Sequence, residues 1–267
     1  ADGREVIWQA DPAIWAQHAP ILFPICGSVK DDHIKIGGKI YPMRKHGFTR
    51  AAAFHVGKRG ADFVELVFEA NEETRTMYPF DFAFHVTYSL FAEGYTTTFL
   101  VENRSNEAMP FCVGGHPAFI CPMEPGAVFE DYQLIFPQKE DGRIALAPTG
   151  KLIEGWDYLP GLHHAAVLLL RHALFDEHDA LLFTELQSRS VKLVHRTSGK
   201  GLQFDFPKME VFAVWTKPHA NADYLCLEPW HGMPECVGES GNMEDKPFVT
   251  LLPAGQCYKT WFTVTLI

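Results

Sequence analysis

Between residues 82 and 102 the chain alternates apolar and polar side chains with a period of two, twice over. Phe82, Phe84, Val86, Tyr88 and Leu90 alternate with Ala83, His85, Thr87 and Ser89. After Ala92-Glu93-Gly94 the pattern resumes with Tyr95, Thr97, Phe99 and Val101. Successive side chains of a strand point to opposite faces, so this pattern predicts two half-buried strands joined as a hairpin. Ala92-Glu93-Gly94 reads as the hairpin loop, with Gly94 free to take a positive φ. Residues 258–266 alternate in the same way, with Tyr258, Phe262, Val264 and Leu266 inward.

Eight more strand candidates lie at residues 63–68, 132–136, 166–170, 180–186, 191–195, 202–206, 211–216 and 224–228, many separated by Gly, Pro, Asp or Asn. Such a rhythm suits a sandwich or barrel. The interleaved helices of 10–15 residues that parallel β-α-β units need are missing. Helical signals are few. Asp11-Pro12 before Ala-Ile-Trp-Ala-Gln predicts a short helix with an aspartate cap and proline in its first turn. Asn71 is placed to cap a single turn before Pro79. With no repeat, linker or low-complexity stretch, the expectation is one large antiparallel β domain over residues 1–267.

Composition narrows the function classes. Of 267 residues, 47% are hydrophobic and 21% charged, which supports a packed core and excludes a disordered chain. A net charge of −10 makes nucleic acid and anionic membrane poor partners. There is no run of 18 apolar residues and no signal-peptide pattern, so a cytoplasmic protein is expected. The six cysteines, at 26, 112, 121, 226, 236 and 257, include no Cys-x-x-Cys pair. Free thiols in a reducing compartment are therefore expected, and no cysteine-rich zinc site. Nucleophile-elbow, phosphate-loop and dinucleotide motifs are absent. His163-His164 and His172…His178 read as exposed loop histidines without carboxylate companions at metal spacing.

Three clusters place ionisable residues beside residues that shape the backbone. In Pro42-Met-Arg-Lys-His46-Gly47-Phe48-Thr49-Arg50, Gly47 permits a tight turn beside His46, and Arg50 adds a fork of donors. In Gly114-Gly115-His116-Pro117 the paired glycines permit close backbone approach, and Pro117 restricts His116 to extended geometry. A histidine held in this way suits general acid catalysis. In Tyr224-Leu-Cys-Leu-Glu228-Pro229-Trp230, an apolar strand delivers Glu228 at its end and Pro229 is expected to stop the pairing. Partial burial should raise the Glu228 pKa toward that of a useful base. Trp230 offers a flat face to the C–H bonds of a sugar.

Taken in order along the chain, these clusters resemble the aldose 1-epimerase (galactose mutarotase-like) family, in its branch with a His-Gly-Phe-x-Arg segment. The early stretch from Trp15 to Gly27, His46–Arg50, Tyr78–Phe82, Gly114–Phe119, Phe175…Asp179-Ala-Leu and Leu227-Glu-Pro-Trp230 carry the resemblance over nearly the whole chain. It implies a large antiparallel β-sandwich with an open cleft, acting on a small-molecule sugar as a monomer or homodimer without metal or cofactor. The implied reaction is interconversion of the anomers of an aldose by ring opening. Glu228 is then the general base and His116 the general acid, with His46, Arg50 and Trp230 holding the sugar.

Two departures from the family pattern stand out. Ser28 occupies a position where members often have arginine, with Lys30 close by. The family also usually begins with one or two strands before the equivalent of Ala1, so a missing N-terminal strand is expected. Two alternatives follow: a sugar-binding or sensing module without turnover, and a hexose-6-phosphate 1-epimerase. The second would use Arg50 with Arg44, Lys30 or Lys45 to hold phosphate.

Overall fold

The computed structural model describes residues 3–267. Two large antiparallel sheets pack as a sandwich. The first runs in the order Ile21–Leu22, Val113–Gly115, Tyr224–His231, Val211–Trp215, Ala180–Phe183, Arg143–Leu146 and Gly155–Tyr158, and Ala118–Ile120 also pairs with Tyr224–His231. The second has nine strands, in the order Ala165–Leu169, Tyr132–Glu140, Ser190–His195, Gly201–Asp205, Cys257–Leu266, Gly94–Asn103, Phe82–Phe91, Phe63–Glu69 and His55–Arg59.

The hairpin forms where the alternation placed it. Phe82 pairs with Asn103 and Phe91 with Gly94, which leaves Ala92-Glu93 as a two-residue turn. Gly94 is inside the second strand, and its φ is not positive. Its missing side chain serves packing, because a Cβ there would stand 1.9 Å from the Val264 carbonyl oxygen.

Rings fill the space between the sheets. Phe204 stacks on Phe262 at 5.1 Å, Phe206 on Phe212 at 4.4 Å and Phe23 on Phe84 at 4.9 Å. Each such ring, once buried, contributes roughly 1.5–3 kcal/mol.

Helix is scarce, as expected, but its placement differs. Residues 11–15 form one turn and no helix: Ile14 and Trp15 N–H donate to the Asp11 carbonyl, and the Asp11 side chain accepts from Ala13 N–H. The helix Glu72–Met77 forms under a reciprocal cap, with the Asn71 side chain accepting from Thr74 N–H and the Thr74 hydroxyl from Asn71 N–H, both at 2.9 Å. A second helix, His172–His178, occupies a segment read as loop. His172 is half-buried there, stacked on Phe129 at 4.1 Å and bonded to Glu130 at 3.0 Å. Adjacent loop histidines also have a carboxylate neighbour that spacing did not show, with His164 Nδ1 3.0 Å from Asp141. Among the described residues no helix is long and apolar enough to cross a membrane.

Candidate active site

The strand Tyr224–His231 carries Glu228 in the interior of the first sheet, not at a strand end. Pro229 does not stop the pairing: it lies opposite Phe212, and the ladder runs on through Trp230 to His231. Leu227 N–H donates to the Pro117 carbonyl at 3.1 Å. Two residues on, Pro229 turns the same side toward the break between Val113–Gly115 and Ala118–Ile120, where an absent N–H breaks no ladder bond.

Alternation sends Leu225 and Leu227 into the sandwich and Cys226 and Glu228 to the outer face. The outer face is covered by the N-terminal segment. Trp8, Ile14 and Trp15 pack there on Tyr224, Cys226 and Trp215. Beside this cover lies a cavity of about 440 Å³, lined by Trp15, Lys45, His46, Arg50, His116, Gly150, Asp179, Ala213, Trp215, Glu228 and Trp230 among others. Beside Glu228 the lining continues across the sheet: Ala213 pairs directly with Glu228, and Leu182 with Ala213.

All five expected site residues, distant in sequence, line this one cavity. His116 Nε2 is 3.2 Å from Glu228 Oε2. His116 follows the two glycines, whose bare Cα atoms admit the protein's own rings: Gly114 lies against Trp230 and Gly115 against Phe262. Trp15 stacks on the His116 ring at 5.1 Å, and Trp215 meets it edge-on at 5.7 Å. Trp230 is buried, and its indole N–H donates to the Gly115 carbonyl at 3.2 Å.

His46 sits at φ 65 and Gly47 at φ 74, and a side chain on Gly47 would strike the Phe23 carbonyl. This tight turn brings His46 Nδ1 to accept from Gly27 N–H at 3.0 Å. Nδ1 is thereby fixed as the acceptor, and Nε2 carries the proton as a donor. The His46 ring is 5.8 Å from that of His116 and 5.6 Å from that of Trp230.

Burial governs the electrostatics. It raises the Glu228 pKa well above the ordinary carboxyl value, opposed by the charge of Lys45. It lowers His116 to about 3, and His46 well below the ordinary imidazole value. The His116–Glu228 pair therefore holds one proton over a wide pH range, within reach of both atoms.

Sequence reasoning passed over three wall residues. Asp179 lay in a recognised segment without a role, Lys45 entered only as a possible phosphate ligand, and Trp215 carried no signal beyond its strand. Lys30 does not replace the arginine absent at position 28, for it lines a separate surface hollow with Asp31, Lys35 and Glu235. The Ser28 hydroxyl instead donates to the Gly150 carbonyl at 2.8 Å.

Comparison with known proteins agrees with this architecture. Residues 1–243 match the family model for aldose 1-epimerase. The chain is 36% identical over 273 aligned positions to the plasmid-borne and the chromosomal Protein LacX of Lactococcus lactis subsp. lactis, covering all of this chain and 91% of each relative. A galactose mutarotase related enzyme from Lactobacillus acidophilus superimposes with a TM-score of 0.89 at 32% identity, covering 100% of this chain and 88% of that one. A galactose mutarotase-like protein from Lactobacillus casei ATCC 334 does so with 0.92 at 29%, covering 100% and 90%. The antiparallel sandwich, the order of the segments around its cavity and the match to the family model lead to one conclusion: the chain belongs to the aldose 1-epimerase family.

Proposed function

We propose that this protein interconverts the α and β anomers of a free aldose in the cavity above Glu228. The observation that carries this reading is the 3.2 Å contact between His116 Nε2 and Glu228 Oε2 at the cavity wall. A cyclic sugar opens when the proton of its C1 hydroxyl is removed while its ring oxygen is protonated. Those two oxygens share one carbon, so acid and base must be close neighbours. Glu228 takes the hydroxyl proton and His116 supplies the ring oxygen. Rotation about C1–C2 and the reverse transfers close the other anomer. Each such group typically contributes about 10²–10⁴ in rate.

One proton on the pair suffices, because the reaction returns it. Burial favours the carboxyl as its seat, and the Lys45 charge lowers the pKa of both partners; the assignment uses the form in which the proton sits on His116. His46 offers its Nε2–H, and Arg50 its guanidinium, to sugar oxygens. No residue in this scheme calls for a metal or redox group.

A phosphorylated aldose is the second reading. Arg44, Lys45 and Arg50 also line an adjoining hollow of about 870 Å³, where Glu73 is the one acidic residue among the described residues.

Polarimetry on freshly dissolved anomers of glucose, galactose, xylose, arabinose, tagatose and galactose 6-phosphate tests both. Accelerated decay for a neutral sugar, lost in Glu228→Gln, is the expected result. Acceleration confined to the phosphosugar and falling steeply with salt selects the second reading. Saturable binding with no acceleration leaves a binding module in place of an enzyme.

A further inference from the structure

Lys45 lines the cavity with its ammonium turned to the Pro148–Gly150 turn. Among the described residues that ammonium takes part in no hydrogen bond and no ion pair, and the Asp179 carboxylate likewise has neither. The surroundings are nevertheless built around the two groups. A Cβ on Gly150 would stand 2.2 Å from Lys45 Nζ and 3.4 Å from Asp179 Oδ2, so only a residue without a side chain leaves Lys45 its place. The Ser28 hydroxyl holds that turn by its bond to the Gly150 carbonyl. Asp179 ends the helix His172–His178 at φ 62 and ψ −73, a backbone state that costs an aspartate about 1–3 kcal/mol. Its N–H, bonded to the Phe175 carbonyl at 2.8 Å, helps keep it there.

The distances define what fits between them. Lys45 Nζ and Asp179 Oδ2 are at most about 5.6 Å apart, yet do not close to the 4.0 Å of an ion pair. An oxygen at about 2.8 Å from each spans that gap. Lysine can only donate and a carboxylate can only accept, so the oxygen must do both. A hydroxyl does. An ether or a phosphate oxygen has no proton for Asp179, and a phosphate dianion is repelled by it.

We propose that Lys45 and Asp179 clamp one free hydroxyl of the sugar, Lys45 donating to its oxygen and Asp179 accepting its proton. The proposal rests on the sugar reading of this cavity and adds the specificity determinant. Ser28, where the family often has arginine, shapes the clamp by holding the turn against which Lys45 lies, and the cation comes from Lys45. A substituent at that hydroxyl is rejected, while one near Arg44 and Arg50 is not.

The test pairs two variants with a deoxy series. kcat and KM are measured by polarimetry for D-galactose and D-glucose and for their 2-, 3-, 4- and 6-deoxy counterparts, with wild type, Lys45→Met and Asp179→Asn. Each variant is expected to lose about 10–100-fold in kcat/KM on the parent sugar, the worth of a charge-assisted hydrogen bond. For one deoxy position, the same for both variants, wild type and variant should agree within about twofold, because the group that was read is gone. Losses that are uniform across the series, or that single out different positions for the two variants, overturn the clamp. Calorimetric binding of the same panel separates the two claims. If wild type turns over no sugar but the deoxy pattern persists in binding, the mutarotase reading fails and the clamp stands. A flat binding pattern, or no binding of any sugar in the panel, overturns the clamp.

Discussion

The two faces of the strand Tyr224–His231 are equally shut off from water and chemically opposite. Leu225 and Leu227 are 0% exposed on one side, and Glu228 is 2% exposed on the other. The inner face meets the second sheet through Phe204, Phe206 and Phe212 at ring-contact distance. The outer face keeps a small residue, Ala213, in register with Glu228 and leaves a cavity above it. The difference teaches how this fold tolerates a costly site. A buried carboxyl whose pKa is raised weakens the folded state at neutral pH, and the opposite face of the same sheet holds the strand in place.

The comparison breaks most visibly at Glu228. Glu228→Gln keeps the shape and removes the base, and kcat is expected to fall about 10³-fold or more by polarimetry. Its stability should move the other way. The folded-state pKa of Glu228 is raised, so its contribution is present below the unfolded value near 4.5 and is lost as pH rises toward the folded value. At pH 7 the variant should therefore melt higher than wild type by a few degrees, each 1 kcal/mol being worth about 2–4 °C, with the gap closing toward pH 4. A lower melting point at pH 7 would show that the carboxyl stabilises the fold.

His116→Asn comes next, with an expected loss of about 10²–10³ in kcat/KM. In wild type, the acid limb of the pH profile should fall near 3, where the pair takes its second proton, and not near 6.5. An acid limb at 6.5 would mean that His116 titrates as an exposed histidine does.

Leu227→Ala sharpens the contrast from the inner side. It should cost about 2–5 kcal/mol in denaturant unfolding through the cavity it leaves. The kcat/KM of the folded enzyme should stay within a few-fold, since the Leu227 side chain packs in the core between the sheets and does not line the cavity. An activity loss as large as that of His116→Asn would show that the faces are not independent. The smallest effect belongs to Ser28→Ala. It removes one hydrogen bond, worth about 0.5–1.5 kcal/mol, and should change kcat/KM by less than about tenfold.

The strands were legible because their signal is local. The 82–90 and 95–102 segments pair within one residue of the expected bounds, since the alternation and the short turn leave one register that buries both apolar rows. The helix His172–His178 was not legible, for it is held by contacts such as Phe129 on His172, whose two residues lie far apart in the chain. Pro229 misled for a similar reason. Proline ends a strand where a neighbour needs its N–H, and only the sheet order shows that no neighbour does.

By itself the sequence determined the all-β class, the hairpin, the Asn71-capped turn and the residue types of an acid–base site. Each depends on side-chain period or on chemistry carried within a few residues. Only the tertiary structure decided that His46, His116 and Glu228 share one cavity, that Gly27 sets the His46 tautomer, and that Lys45 lies by Gly150 within reach of Asp179. Those facts are distances between segments tens to more than a hundred residues apart. Packing of the two sheets creates them, and no local pattern encodes them.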